Sequence, residues 1–224
     1  MTKNKIVLIA GDPNSINSEI IFKTWKKINN NIKKKIYLIV NFDLFRLQLK
    51  KFNFKIKLIK VKNFHNDQKI NGLKIIDVPL NFSNPFKVTH KNSSEYIRKS
   101  LNLGHKLSND KKFKGLINCP INKGLIHKSK KTGVTEYLAS KCRIKDRSEL
   151  MLIYNKKLSV APVTTHIDIK KVSKKITSKL IIKKMLTLNT QFKKLFKKKP
   201  KICLLGLNPH NSELLDSSEE VKKI

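Results

Sequence analysis

The sequence predicts an α/β fold in which helices connect the strands of a largely parallel sheet. Short runs rich in β-branched residues alternate with segments that repeat apolar residues at helical spacing, and several of these runs lead directly into polar loops. This alternation is typical of crossover connections between parallel strands. The length of 224 residues and the hydrophobic content of 39% suffice for one large domain or two small ones.

The elements can be predicted in order along the chain. Apolar runs predict strands at residues 6–10, 35–40, 54–61, 74–80 and 116–119. Helical spacing predicts helices at 18–28, 42–52, 93–107 and 178–197. The Asn/Ser cluster "KNSSE" is expected to cap the third of these helices. Residues 149–155 and 157–168 are spaced like a hairpin, which would make the sheet mixed, and a further strand is expected from residue 201.

The net charge of +35 raises the question of a polyanionic partner. Only four of the 50 basic residues are arginines, and the lysines are scattered over every predicted element. Nucleic-acid readers more often concentrate arginine and aromatic residues on one face, because these provide bidentate and stacking contacts. Solvated lysine faces with non-specific charge attraction are the favoured interpretation, and a polycationic nucleic-acid-binding protein is the alternative.

Membrane and cysteine patterns point to a cytoplasmic protein. There is no apolar run of about 18 residues, and the apolar run near the start is too short for a signal peptide. The three cysteines form no C-x-x-C pair and predict neither a disulfide framework nor a thiolate zinc site. His65, His90, His105 and His127 lie in Lys/Asn-rich contexts and are expected at the surface.

Polar residues follow several predicted strands and could converge on one site. They are Asp12 and Asn14; Asn118, Asn122 and Lys123; Thr164, Thr165 and His166; and Asn208 and His210. Ligands of open α/β sheets bind beyond the carboxyl ends of the strands. Lys123 suits phosphate binding, Thr135 could cap a helix whose amino end binds an anion, and the imidazoles of His166 and His210 suit a divalent metal. For each residue an ordinary surface or capping role is the alternative.

Five segments occur in the order and spacing of one known family. They are "GDPNSINSEI", "NCPINKGLI", "TGVTEYLA", "TTHIDIKKV" and "GLNPH". The sequence resembles the 4-hydroxythreonine-4-phosphate dehydrogenases of vitamin B6 biosynthesis over its whole length. The resemblance implies an α/β/α mixed-sheet architecture like that of isocitrate and isopropylmalate dehydrogenases, without the usual glycine fingerprint. It also implies a homodimer with its active site near the subunit interface.

The resemblance implies a reaction and a set of site residues. The reaction is NAD-dependent oxidation of 4-phosphooxy-L-threonine, followed by decarboxylation to 3-amino-2-oxopropyl phosphate, in pyridoxine 5'-phosphate biosynthesis. A close variant would act on another phosphorylated hydroxy acid. By resemblance His166 and His210 are two of three ligands of a divalent metal (Zn, Mg or Co), Thr135 contacts substrate, and Lys123 occupies a lysine position that we assign to catalysis.

The sequence also departs from the family pattern. Val134 replaces the histidine of the family's Gly-His-Thr-Glu, which removes a hydrogen-bonding group from the substrate site. Family members continue past the position of Ile224, through a third metal histidine and further substrate-binding residues. Residues 1–224 are therefore expected to form an incomplete dehydrogenase-like region, with no readable boundary between subdomains. We expect weak metal binding, exposed sheet edges and no activity from this chain alone.

Overall fold

The protein is described as a computed structural model, and the residues it describes are 4–62, 71–126, 133–142, 149–165 and 167–206. They fall into two compact units, Met1–Cys142 and Arg143–Ile224. The strands are β1 (Lys5–Ile9), β2 (Ile36–Val40), β3 (Leu58–Lys60), β4 (Leu73–Asp77) and β5 (Phe113–Asn118). The α-helices are α1 (Asn17–Lys27), α2 (Asn30–Lys33), α3 (Phe42–Lys51), α4 (His90–Ser108), α5 (Val134–Lys141), α6 (Val172–Lys175) and α7 (Ser178–Phe196).

The first unit is built on a five-stranded sheet of order β3-β4-β2-β1-β5, in which every pairing is parallel. Alternate residues of each strand enter opposite cores, because successive side chains of a strand point to opposite faces. Val7 and Tyr37 pack with Tyr96 and Leu101 of α4 on one face. On the other face, residues of β2 and β4 pack with Ile21 and Phe22 of α1 and with Phe45 and Leu49 of α3. The predicted α/β class with helices on both faces is confirmed.

Two predicted caps of helices in this unit are wrong. Helix α4 begins at His90, and its cap is Thr89, whose hydroxyl accepts the Asn92 N–H at 3.4 Å, not the cluster "KNSSE". Helix α5 begins at Val134 with Gly133 at the cap position, so Thr135 lies inside the first turn. In both cases the side chains singled out in the sequence lie within the helix, where they cannot satisfy its first N–H groups.

The second unit contains the long predicted helix and little regular sheet. Helix α7 ends at Phe196, close to the predicted end. The predicted hairpin is present as one antiparallel bridge between Ile153 and Val160. Residues 201–206 form no strand, so the strand predicted there is wrong within the described part of the chain. A strand needs a neighbour for its backbone hydrogen bonds, and the local sequence does not provide one.

Apolar side chains are more exposed in the second unit than in the first. Among the described residues of the second unit, Ile181 is the buried apolar side chain. Exposed side chains include Leu158 at 74%, Leu195 at 69% and Leu205 at 82%. Tyr154 stacks on Phe196 with a ring-centroid distance of 4.5 Å, which ties the segment after residue 149 to the end of α7.

Candidate active site

The strand order places a crevice at the carboxyl ends of β1 and β5. Strands β2, β4 and β3 lie on one side of β1, whereas β5 pairs with β1 on the other side. The loops that follow β1 and β5 therefore diverge at a topological switch point, where open α/β sheets bind their ligands. Residues 10–16 and 119–122 are these two loops.

Gly11 and Asn17 hold the two loops together. Gly11 has a φ of +78°, and an added Cβ would stand 2.6 Å from the Pro120 carbonyl oxygen. The buried Asn17 amide donates to the carbonyl oxygens of Ala10 at 2.8 Å and Pro120 at 2.9 Å. This role of Asn17 could not be predicted from the sequence, because a connection over 103 positions leaves no local pattern.

Asp12 and Asn14 stabilise the first loop. The Asp12 carboxylate accepts the Asn14 N–H at 2.9 Å, which is the pattern of an Asx turn. The Asn14 side chain donates to the Val88 carbonyl and accepts the Val88 N–H, each at 2.8 Å. These contacts join the loop after β1 to the segment that precedes α4. The ordinary structural role is therefore observed for Asn14.

The loop after β5 exposes Lys123. Asn122 accepts the Gly124 N–H at 3.0 Å and caps a 3-10 helix at Lys123–Leu125. Asn118 donates to the Cys119 carbonyl at 3.2 Å. Cys119 is buried, and burial raises the pKa of its thiol to about 11. The Lys123 side chain is exposed, so its ammonium group is available to a ligand.

Lys123 lies beside the amino end of α5. A Cβ added at Gly133 would stand 3.9 Å from Lys123 Cε. The Gly133 N–H is taken by the Glu136 carboxylate at 2.9 Å, so an anion would have to use the N–H groups of the first helical turn that follow it. Thr135 is exposed and Val134 is half-buried in that turn. The structure thus brings together the lysine and the helix start that the sequence singled out separately.

The predicted metal ligands, His166 and His210, lie outside the described residues. Thr164 and Thr165 are described and belong to the second unit. Over the described ranges no group of three His, Cys, Asp or Glu side chains could hold a metal ion. In the same part of the chain no helix is long and apolar enough to cross a membrane.

Comparisons with known proteins decide the family. The family model of the pyridoxal phosphate biosynthetic protein PdxA matches residues 31–224. The chain belongs to this family. A 4-hydroxythreonine-4-phosphate dehydrogenase of Sulfurihydrogenibium sp. is 36% identical over 213 residues, which cover 93% of this chain and 64% of the relative. Another, from Wigglesworthia glossinidia brevipalpis, is 30% identical over 215 residues, covering 94% and 63%.

The fold agrees with a solved structure of a protein that has the same name as these two relatives. The crystal structure of 4-hydroxythreonine-4-phosphate dehydrogenase from Klebsiella pneumoniae superposes with a TM-score of 0.78 at 20% identity. The match covers 94% of this chain and 66% of that one. The chain spans just under two thirds of the length of the two curated relatives above. The comparisons give no support to the nucleic-acid-binding alternative.

Proposed function

We propose that the chain carries the phosphate-binding part of a site for NAD-dependent oxidation and decarboxylation of 4-phosphooxy-L-threonine to 3-amino-2-oxopropyl phosphate. Family membership supports the reaction class. The observation that carries the proposal is the proximity of Lys123 to the amino end of α5. A lysine ammonium group and the free N–H groups of a helix start are a combination that binds phosphate.

Each residue around this helix start has a proposed role. Lys123 neutralises charge on the substrate phosphate, and the Thr135 hydroxyl, exposed in the first turn, donates a hydrogen bond to the substrate. Val134 occupies the position of the family histidine and offers the substrate only apolar contact. A hydrogen bond to a charged group contributes about 1.5–3 kcal/mol, so we expect this chain to bind substrate more weakly than a histidine-containing relative.

The cofactor and metal belong to the same proposal. His166 and His210 would hold a divalent cation (Zn, Mg or Co); imidazole suits zinc and other transition metals best, whereas Mg²⁺ prefers oxygen ligands. The metal would polarise the substrate oxygen and NAD would accept the hydride. A homodimer with its active site near the subunit interface and a cytoplasmic location complete the proposal, as does the variant in which the substrate is another phosphorylated hydroxy acid.

Calorimetric titration with 4-phosphooxy-L-threonine at about 0.15 M salt tests the phosphate site, because salt at this concentration screens non-specific attraction beyond about 8 Å. Lys123→Gln should weaken binding about tenfold or more, as expected for loss of a charge-assisted contact. The matched control is Lys141→Gln, at the carboxyl end of the same helix, which should change the Kd less than about twofold. Equal effects of the two substitutions would contradict the proposal.

A further inference from the structure

Cys142 and His105 form a pair outside the proposed substrate site. Cys142 Sγ lies 3.4 Å from His105 Nε2, although the two residues are 37 positions apart. His105 is in the last turn of α4, and Cys142 is the residue that caps the carboxyl end of α5. Cys142 is exposed and His105 is partly buried, so a reagent in solution can reach the sulfur.

Packing between the two helices fixes this pair. The Tyr137 hydroxyl of α5 donates to Asn102 Oδ1 of α4 at 2.7 Å, and Tyr137 itself is buried. Asn102 lies three residues before His105 and therefore on the same face of α4. The Cys142 N–H donates to the carbonyl oxygens of Leu138 and Ser140 and so continues the helix to the cysteine. Cys142 is thereby held beside His105 Nε2.

Asn109 determines which form of the imidazole faces the sulfur. Asn109 Nδ2 lies 3.1 Å from the His105 carbonyl oxygen, which only accepts, so this end of the amide is its NH₂ group. The same NH₂ lies 3.2 Å from His105 Nε2. A donor at that distance requires Nε2 to be the unprotonated nitrogen of the neutral ring. Nε2 then has a single lone pair that faces both the Asn109 N–H and the Cys142 thiol, so it takes the thiol proton when the Asn109 N–H moves aside and keeps its bond to the His105 carbonyl.

The other two cysteines each lack a property that the proposal needs of Cys142. Cys119 is buried, and burial raises the pKa of its thiol to about 11, which leaves it protonated and inaccessible. Cys203 is exposed like Cys142, but it belongs to the second unit and has no described hydrogen bond to an imidazole. The chain thus contains its own controls for accessibility and for the histidine.

We propose that Cys142 is a site of reversible thiolation by low-molecular-weight disulfides, with His105 as the proton acceptor. The Cys142 sulfur attacks one sulfur of the disulfide RSSR, a Cys142–SR bond forms and the S–S bond of the reagent breaks. The proton passes from Cys142 to His105 Nε2 and then to the departing thiolate, which leaves as RSH. The cysteine is oxidised to the disulfide level and half of the reagent is reduced to thiol.

Incubation of the chain with glutathione disulfide, followed by mass spectrometry of each cysteine peptide over time, tests this proposal. Cys142 should react at least about tenfold faster than Cys203, and Cys119 should remain unmodified. A Cys142 rate within about twofold of the Cys203 rate in the unsubstituted chain would overturn the proposal, and this comparison requires no variant.

His105→Gln supplies the second measurement. It should lower the Cys142 rate about tenfold, to near that of Cys203, and leave the Cys203 rate unchanged. The matched control is His90→Gln, at the exposed first residue of the same helix, which should leave all three rates unchanged. Continued protection of Cys119 shows that the variant is folded. An unchanged Cys142 rate in folded His105→Gln would also overturn the proposal.

Discussion

Replacement of Gly11 by alanine should destabilise the chain strongly, because this glycine allows the loops after β1 and β5 to meet. Its φ of +78° lies in the left-handed region, which costs an alanine about 1–2 kcal/mol. The added Cβ would stand 2.6 Å from the Pro120 carbonyl oxygen and 3.0 Å from that of Cys119. Both are backbone atoms, so neither can rotate away.

The same Cβ would stand 2.8 Å from Asn17 Nδ2 and would displace the amide that joins the two loops. Two hydrogen bonds from this buried amide contribute about 0.5–1.5 kcal/mol each. With the backbone strain, the expected loss is about 2–5 kcal/mol in the free energy of unfolding. Substrate binding should weaken as well, because Lys123 follows the displaced loop.

Urea unfolding followed by circular dichroism measures this loss. The matched control is Gly115→Ala in β5, where an added Cβ would have no atom within 4 Å. Alanine there should change the free energy of unfolding by no more than about 1 kcal/mol, in the stabilising direction, because it reduces the freedom of the unfolded chain. A Gly11→Ala variant as stable as Gly115→Ala would refute this explanation of the loop contact.

Three further predictions concern the site, the core and the pH dependence. Val134→His should tighten binding of 4-phosphooxy-L-threonine about tenfold in calorimetry, because an imidazole restores a hydrogen-bonding group; unchanged affinity would count against the role of this position. Leu101→Ala, at a fully buried core position of α4, should lower the free energy of unfolding by about 2–5 kcal/mol in urea, and a loss below 1 kcal/mol would contradict the packing. Burial raises the pKa of the Cys119 thiol from 9.0 to about 11, so folding favours the protonated thiol. The free energy of unfolding should therefore fall as pH rises from about 9 to 11, and it should fall less steeply in Cys119→Ala. Burial also raises the pKa of Tyr96, so some pH dependence should remain in the variant. Identical slopes of unfolding free energy against pH in the two proteins would refute the Cys119 contribution.

The first unit could be predicted because its elements are local patterns. The apolar run Ile6–Ala10 and the helical spacing of Ile21 and Trp25 need no distant partner to be recognised, and both elements are present within one or two residues. The parallel sheet follows from their alternation. Local pattern was insufficient for the caps at Thr89 and Gly133, since backbone geometry rather than residue type decides which residue precedes the first helical turn.

Contacts between distant segments could not be predicted from the sequence. The run at residues 201–206 has the composition of a strand but no partner among the described residues, and strand formation depends on that partner. His105 looked like a surface histidine, because its pairing with Cys142 requires α4 and α5 to pack. The candidate site could be predicted in part. Lys123 and the start of α5 could be named from the sequence, whereas their proximity is apparent only in the structure.

The proposed phosphate site is tested most directly by titrating the isotopically labelled chain with 4-phosphooxy-L-threonine and following its backbone amide resonances. We expect the amides of Val134, Thr135 and Glu136 to shift together and saturably, with the Lys123 amide, and Lys123→Gln should abolish these shifts. Shifts spread over the lysine-rich surface without saturation, or confined to another part of the chain, would contradict a phosphate site at Lys123 and the amino end of α5.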